Sequence, residues 1–243
     1  MADPFLDCPR SWRRGTLDAD PRAGLVERVE TGATPSTRVD RFWDGGVLWV
    51  TPKEVARRGT GLFVTQTERT ISPDGLRSCG ARVVAPGTVL LTKRAPVGAV
   101  AVAGAPMATN QGFLNFTCGP HLRPLYLAYW FMGNRRYLDL VANGSTYPEL
   151  YKGDLFEFEI AVPNLAAQDR AIEFFAALEF VARLGPCLEQ TTSDPERMQA
   201  IQSETHGIER LRDAMLPGVL SGRIDLGAWS ALPHAAAAHE AHL

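Results

Sequence analysis

The sequence predicts an α+β chain: a mixed α/β domain of short strands and loops, followed by a helical, coiled-coil-like arm. Two observations predict it. Up to residue 165, turn-forming residues punctuate the chain at Gly32, Pro35, Gly45-Gly46, Gly59, Pro73-Asp74-Gly75, Pro86-Gly87, Pro96, Gly104 and Gly119-Pro120, leaving only short apolar runs between them. After Pro163 the texture changes to Ala, Leu, Phe and Glu recurring at helical spacing.

In order along the chain, the β-type runs are 47–50, 83–84, 88–92, 97–102 and 156–162, where branched and aromatic residues cluster between turns. Thr51-Pro52 opens a short helix: threonine caps it, proline takes the first helical position, and Glu54 lies in the first turn. A longer, aromatic-rich helix runs over 125–141 and closes at Asn143-Gly144. In the final third, Ile172, Phe175, Leu178 or Glu179, and Ala182 mark a helix over 165–184 that Gly185-Pro186 interrupts. Ser193-Asp194-Pro195-Glu196 restarts it with a capping side chain and a first-turn proline. Ile201, Ile208, Leu211 and Met215 then form a short heptad-like seam, a candidate dimerisation face that also fits one side of an ordinary amphipathic helix. Leu216-Pro217-Gly218 ends or kinks this helix. The alanine-rich segment 228–243 reads as a solvated tail, and His234, His239 and His242 as part of it rather than a metal site. The expected organisation is a domain over 1–165, a helical region over 166–226 and a tail over 227–243.

Composition excludes several classes. A hydrophobic fraction of 45% and a charged fraction of 21% over 243 residues are those of a soluble globular chain. The most apolar run, from Thr88 to Ala103, is broken by Lys93, Arg94 and Pro96, so no membrane span is expected. Asp3 and Asp7 among early prolines do not make a secretory signal, and the expected location is the cytoplasm. Cys8, Cys79, Cys118 and Cys187 are scattered, with no CxxC pair, and read as free thiols. The net charge of −2 hides an asymmetry: residues 1–165 carry 19 basic against 16 acidic side chains, residues 166–243 carry 6 against 11. Within 53–94 the balance is 8 basic to 3 acidic, which suits a polyanion-facing surface and equally a solvated face.

The tools of catalysis are missing. There is no GxxxxGK[ST] loop, Gly59-Thr60-Gly61 lacks the third glycine of a dinucleotide fingerprint, and no HExxH, Cys/His cluster or GxSxG elbow occurs. No (N/D)PP(Y/F) loop stands ready to hold a flipped base. Asp154, Glu157 and Glu159 alternate without the lysine a metal-dependent nuclease would want, and read as a solvated strand face. No cofactor and no metal are expected.

Several blocks in order are more specific. They are Pro9-Arg10-Ser11-Trp12; Gly32-Ala33-Thr34-Pro35-Ser36-Thr37; Phe42-Trp43-Asp44-Gly45-Gly46 with Leu48-Trp49-Val50-Thr51-Pro52; and Pro86-Gly87-Thr88-Val89-Leu90-Leu91-Thr92 running into Arg94-Ala95-Pro96-Val97-Gly98. Then follow Ala108-Thr109-Asn110-Gln111-Gly112-Phe113, Gly144-Ser145-Thr146, Ile160-Ala161-Val162-Pro163 with Gln168 and Ile172, Leu211-Arg212-Asp213-Ala214-Met215-Leu216, and Ser221-Gly222-Arg223-Ile224. Together, over about residues 9–226, they resemble the target-recognition domain and helical spacer of specificity (S) subunits of type I restriction-modification systems.

The resemblance implies a non-catalytic subunit that recognises double-stranded DNA in sequence-specific fashion. It implies DNA adenine methyltransferase (M) subunits as partners and leaves room for a restriction (R) subunit. Typical members carry two recognition domains alternating with two spacers, whereas this sequence has one of each. A half-subunit would rebuild a reader of a bipartite site as a homodimer, because an isologous contact reproduces the two-fold geometry. Arginine and lysine neutralise phosphates, arginine forks onto guanine, and Asn or Gln onto adenine. The expected DNA face comprises Thr51, Lys53, Arg57, Arg58, Arg69, Arg77, Lys93, Arg94, Gln111, Ser145 and Thr146. Gly98, Gly112 and Gly144 read as turn formers, and Asn110-Gln111 could equally tie loops together. Three other readings stay open: a non-DNA interaction module with a dimerisation arm, an orphan half-reader without a methyltransferase partner, and an enzyme with an unrecognised small-molecule pocket.

Overall fold

The structure is a computed structural model that describes residues 8–19, 24–57, 61–142, 149–156 and 159–226. The chain divides into two compact units, one Arg14–Ile160, the other Ala161–Leu243 with Met1–Arg13. In chain order the elements are β1 (Arg13–Thr16), β2 (Val26–Thr31), β3 (Trp43–Val50), α1 (Pro52–Arg57), β4 (Phe63–Val64), β5 (Arg69–Ile71), α2 (Pro73–Cys79), β6 (Val89–Thr92) and β7 (Val100–Ala103). They continue as β8 (Ala108–Thr109), β9 (Phe113–Cys118), α3 (Pro124–Gly133), α4 (Arg135–Ala142), α5 (Lys152–Phe156), β10 (Glu159–Val162), α6 (Leu165–Glu189) and α7 (Pro195–Leu220). The expected α+β class, a mixed domain followed by a helical arm, is what forms.

Of the three sheets among the described residues, two lie wholly within the larger unit. The first has the strand order β2-β9-β6-β7-β4, antiparallel throughout except for β4, which runs parallel to β7. Its centre is β6, whose residues Val89 to Thr92 are all buried, as expected of a strand covered on both faces. The register sets Leu90 opposite Ala101 on one side and Asn115 on the other. The second sheet has the order β5-β3-β8, with Trp49 paired to Arg69 and to Ala108. Its core is Trp43, Trp49, Ile71, Ala81 and Ala108, and the two indoles meet edge to face at 5.1 Å. α3 is apolar all round and every side chain from Tyr126 to Phe131 is buried; it packs on β6 and β7, because such a helix has no face to offer water.

Local chemistry explains where elements depart from expectation. The single helix expected over 125–141 is two, because the Asn134 amide donates to Trp130 O at 2.8 Å and closes α3 before α4 begins. The strand expected over 156–162 is shorter: α5 takes Phe156, its first turn closed by Asp154 accepting the Tyr151 N–H at 2.9 Å, and β10 starts at Glu159. Val83 stays outside any strand and is exposed, while Val84 makes an isolated bridge to Met107. Residues 97–98 of the expected 97–102 strand form a turn, where Gly98 sits at φ +76°, and β7 begins at Val100.

In the smaller unit α6 and α7 pack against one another along their lengths. Asn164 caps α6 by accepting from Ala167 N at 3.0 Å, and Asp194 caps α7 by accepting from Glu196 N at 3.0 Å, ahead of Pro195 at the first position. α6 does not stop at Gly185-Pro186. Pro186 costs the helix the bond its N–H would make to the carbonyl four residues back, but little helix lies beyond it to be displaced, and Gly185 packs that turn against Thr205 of α7. α7 likewise runs through Pro217 to Leu220, where Leu216, Val219 and Leu220 are buried. The spacer region is therefore a helical hairpin. Its buried charge, Glu179, meets Arg212 of α7 at 3.8 Å and Arg183 at 3.9 Å. α6 leaves Phe180, Val181, Leu184 and Leu188 exposed. Among the described residues no helix is long and apolar enough to cross a membrane, and all four cysteines are free.

Candidate nucleic-acid interface

The candidate residues of the larger unit sit on loops and element ends, and hydrogen bonds fix most of them. Thr51 and Glu54 form a capping box on α1. The Thr51 N–H and hydroxyl both donate to Glu54 Oε2 at 2.7 Å, and Glu54 N donates back to Thr51 Oγ1 at 3.4 Å. The other carboxylate oxygen of Glu54 accepts from Glu68 N at 2.6 Å and so ties α1 to the approach to β5. This leaves Lys53 exposed in the first turn of α1 and Arg57 in its last, 3.5 Å from Glu68.

Arg69, on β5, is exposed yet ordered by its neighbour: its guanidinium lies 3.5 Å from the centroid of the Trp43 ring. Trp43 is itself held, donating from Nε1 to Ser36 O at 3.1 Å. Arg77 turns to Asp74, three residues back on α2, a helix capped by Ser72 accepting from Gly75 N at 3.0 Å.

Lys93 and Arg94 leave β6 at the tight loop that leads into β7. Thr92 organises that loop: its hydroxyl donates to Pro96 O at 2.5 Å and accepts from Ala99 N at 2.9 Å. The Lys93 backbone is tied on both sides, its N–H to Gly112 O at 2.8 Å and its carbonyl to Leu150 N at 2.8 Å. Both side chains converge on Glu149, Lys93 Nζ at 3.0 Å and Arg94 Nε at 3.1 Å from the same oxygen, Oε1. Burial acts to raise the Glu149 pKa, but hydrogen bonds and charge from the two cations outweigh it and hold it below its ordinary value. The Lys93 and Glu149 side chains are each 16% exposed, and Arg94 is 49% exposed.

Gln111 is exposed and accepts from the Thr34 hydroxyl, which in turn accepts from the Asn110 amide at 2.8 Å. Asn110 also accepts from Gly112 N at 2.8 Å, so this dipeptide does tie loops. Asn110 N reaches Val50 O at 3.0 Å, and Gly112 is so close to Pro52 that a Cβ there would come to 2.7 Å from its ring. Backbone links thus bring Thr51, Gln111, Lys93 and Arg94 into one neighbourhood. The Arg57–Glu68 contact extends it toward Arg69, while Arg77 stands apart on α2. Arg58, Ser145 and Thr146 lie outside the described residues. On α7, Ile201, Ile208 and Met215 are half-buried and Leu211 is exposed.

Sequence reasoning passed over Glu149. It follows the Tyr147-Pro148 pair, far from the basic window, and no local pattern marks it. Among the described residues no cluster of His, Cys, Asp or Glu could hold a metal ion.

A family model described as the type I restriction modification DNA specificity domain matches residues 24–180, well over half of the chain. The chain belongs to that family. The type I restriction enzyme MjaIX specificity subunit of Methanocaldococcus jannaschii is 37% identical over 147 residues, which cover 60% of this chain and 34% of that protein. The EcoR124I/EcoR124II specificity subunit of Escherichia coli is 24% identical over 159 residues, 62% of this chain and 38% of that protein. This specificity-domain chain therefore spans well under two thirds of the relatives it matches. In fold it is similar to the HsdS subunit of Thermoanaerobacter tengcongensis, with a TM-score of 0.54 at 21% identity, covering 92% of this chain and 48% of the other. The family is described by DNA specificity, and both curated relatives are named as specificity subunits of type I restriction enzymes.

Proposed function

We propose that this chain reads DNA sequence as the non-catalytic specificity component of a type I restriction-modification assembly in the cytoplasm. The observation that carries this reading is the concentration of cations on one specificity domain. Lys53, Arg57, Arg69 and Arg94 are exposed, with Lys93 beside them, on loops and element ends braced by hydrogen bonds. Cations of this kind supply sequence-independent affinity, and arginine and glutamine read bases at groove edges. Arg77 and Arg58 would extend the phosphate contacts, and Thr51, Gln111, Ser145 and Thr146 are the polar candidates. The Thr51 hydroxyl, committed to the α1 cap, would act mainly by placing Lys53.

The helical arm would supply the rest. A homodimer would present two recognition domains to a bipartite site, with the exposed Leu211 and the half-buried Ile201, Ile208 and Met215 contributing to the contact. The assembly would direct DNA adenine methyltransferase subunits, and a restriction subunit where one exists. The chain itself would need neither cofactor nor metal.

Two measurements test this. Duplex binding followed across a salt series should show an affinity that falls with salt. Charge reversal at Lys53 and Arg57 should weaken it and flatten the slope by about 0.9 for each phosphate that is no longer neutralised. Unchanged affinity and slope in both variants would sink the assignment of this face. Solution mass of the chain, alone and with a candidate methyltransferase, should show a dimer that takes up methyltransferase subunits. A strict monomer that ignores the methyltransferase would defeat the assembly model and favour an orphan half-reader.

A further inference from the structure

We propose that Glu149 is a specificity-determining residue: its carboxylate stands in for a DNA phosphate between Lys93 and Arg94 and keeps that pair from gripping duplex of arbitrary sequence. The inference rests on the DNA-reading function proposed above. Its basis is geometric. Lys93 Nζ and Arg94 Nε approach a single oxygen, Glu149 Oε1, at 3.0 and 3.1 Å. That is how two cations receive a non-bridging phosphate oxygen, and a carboxylate oxygen is an equivalent acceptor. Backbone contacts hold the acid in place: Arg94 and Glu149 form an isolated antiparallel bridge, and Leu150 N donates to Lys93 O at 2.8 Å.

Burial separates this contact from the other ion pairs of the face. Arg57 and Glu68 are 58% and 64% exposed, so water and salt screen their attraction and Arg57 can leave. Lys93 and Glu149 are largely withdrawn from solvent, where an ion pair persists and one partner alone would be left uncompensated. Lys93 is thus silenced in the free chain, and Arg94, half exposed, shares the same carboxylate oxygen. Non-specific duplex offers only phosphates, too little to displace Glu149, whereas a correct site adds base contacts that do. The loop that carries Gln111 is adjacent, through the Gly112 carbonyl that accepts from Lys93 N.

The test is equilibrium binding of the full chain to duplex of arbitrary sequence over a salt series, for wild type, Glu149→Gln, Arg94→Gln and the double variant. Glu149→Gln should bind more tightly, with a salt slope steeper by about 0.9 for each phosphate newly engaged. The steepening produced by Glu149→Gln should be smaller in the Arg94→Gln background than in the wild-type background, because Arg94 is one of the two cations that the carboxylate occupies. A folded Glu149→Gln protein with an unchanged or shallower slope overturns the proposal. So does a steepening that is just as large in the Arg94→Gln background; if Glu149→Gln does not fold, Glu149→Ser replaces it in the same comparison. If neither wild type nor any variant binds duplex, the DNA-reading function itself falls; if wild type binds and Glu149→Gln matches it, only the role of Glu149 does.

Discussion

Gly185 of α6 faces Thr205 of α7 so closely that a methyl group at position 185 would overlap the threonine hydroxyl. The hydroxyl cannot simply turn away, since it donates to Ile201 O at 2.9 Å, and Thr205 Cβ lies 3.1 Å from where the new atom would stand. Only a residue without a side chain at 185 lets the two helices lie this close at that level.

Gly185→Ala should therefore destabilise the arm by about 1–3 kcal/mol through overpacking, despite alanine's better helix propensity. Urea unfolding measures it. Adding Thr205→Ala should recover most of the deficit, because it removes the clashing oxygen; a double variant no more stable than Gly185→Ala would show that the helix spacing is set elsewhere.

Arg69 depends on the Trp43 ring for its position, and a lysine would not lie flat on the indole as a guanidinium does. Arg69→Ala should cost at most about 1 kcal/mol of stability. Its effect on duplex binding should be larger in kind: a slope in salt flatter by about 0.9, with Arg69→Lys intermediate. Tryptophan emission of the wild type should change on DNA addition and that change should shrink in Arg69→Ala.

Glu149 predicts an acid dependence. Its folded pKa is lowered, so the folded chain binds fewer protons here than the unfolded chain, and stability rises with pH through this range. The contribution is complete above the unfolded carboxylate range and is lost as pH falls through the folded value. At neutral pH Glu149→Gln should be less stable than wild type, and the gap should close on acidification below the unfolded value. Denaturant unfolding at neutral and acidic pH checks this; a gap that widens in acid would contradict it.

Cysteine reactivity should divide the thiols. Burial pushes the Cys118 pKa up to about 12, so at pH 8 only about one part in ten thousand would be thiolate. Cys187 is exposed on α6. A thiol-specific reagent on the folded chain should label Cys187 promptly and leave Cys118 unmodified until denaturant is added, as mass mapping would report.

Much of the architecture was legible from residue order alone, because it follows from local chemistry. Thr51-Pro52 with Glu54 caps a short helix, Ser193-Asp194-Pro195 starts another, and the branched apolar run from Thr88 to Thr92 reads as a strand, whose central place in the sheet only the pairing shows. Where local signals competed, tertiary packing decided. Proline at 186 and 217 argues for helix ends, but the two long helices pack on each other and carry through both; Asp154 reads as part of a solvated, strand-like segment, but its carboxylate closes the first turn of α5.

The candidate site divides along the same line. Its cations could be counted in the sequence, and so could the excess of basic over acidic residues in 53–94. Their availability could not, since charge acts through space and not along the chain. Glu149 lies outside that window and folds back onto Lys93 and Arg94, Trp43 comes from another strand to hold Arg69, and Glu68 reaches Arg57. The sequence by itself determined which residue types could meet DNA; only the tertiary structure decided which of them are braced, which are neutralised and which stand open to solvent.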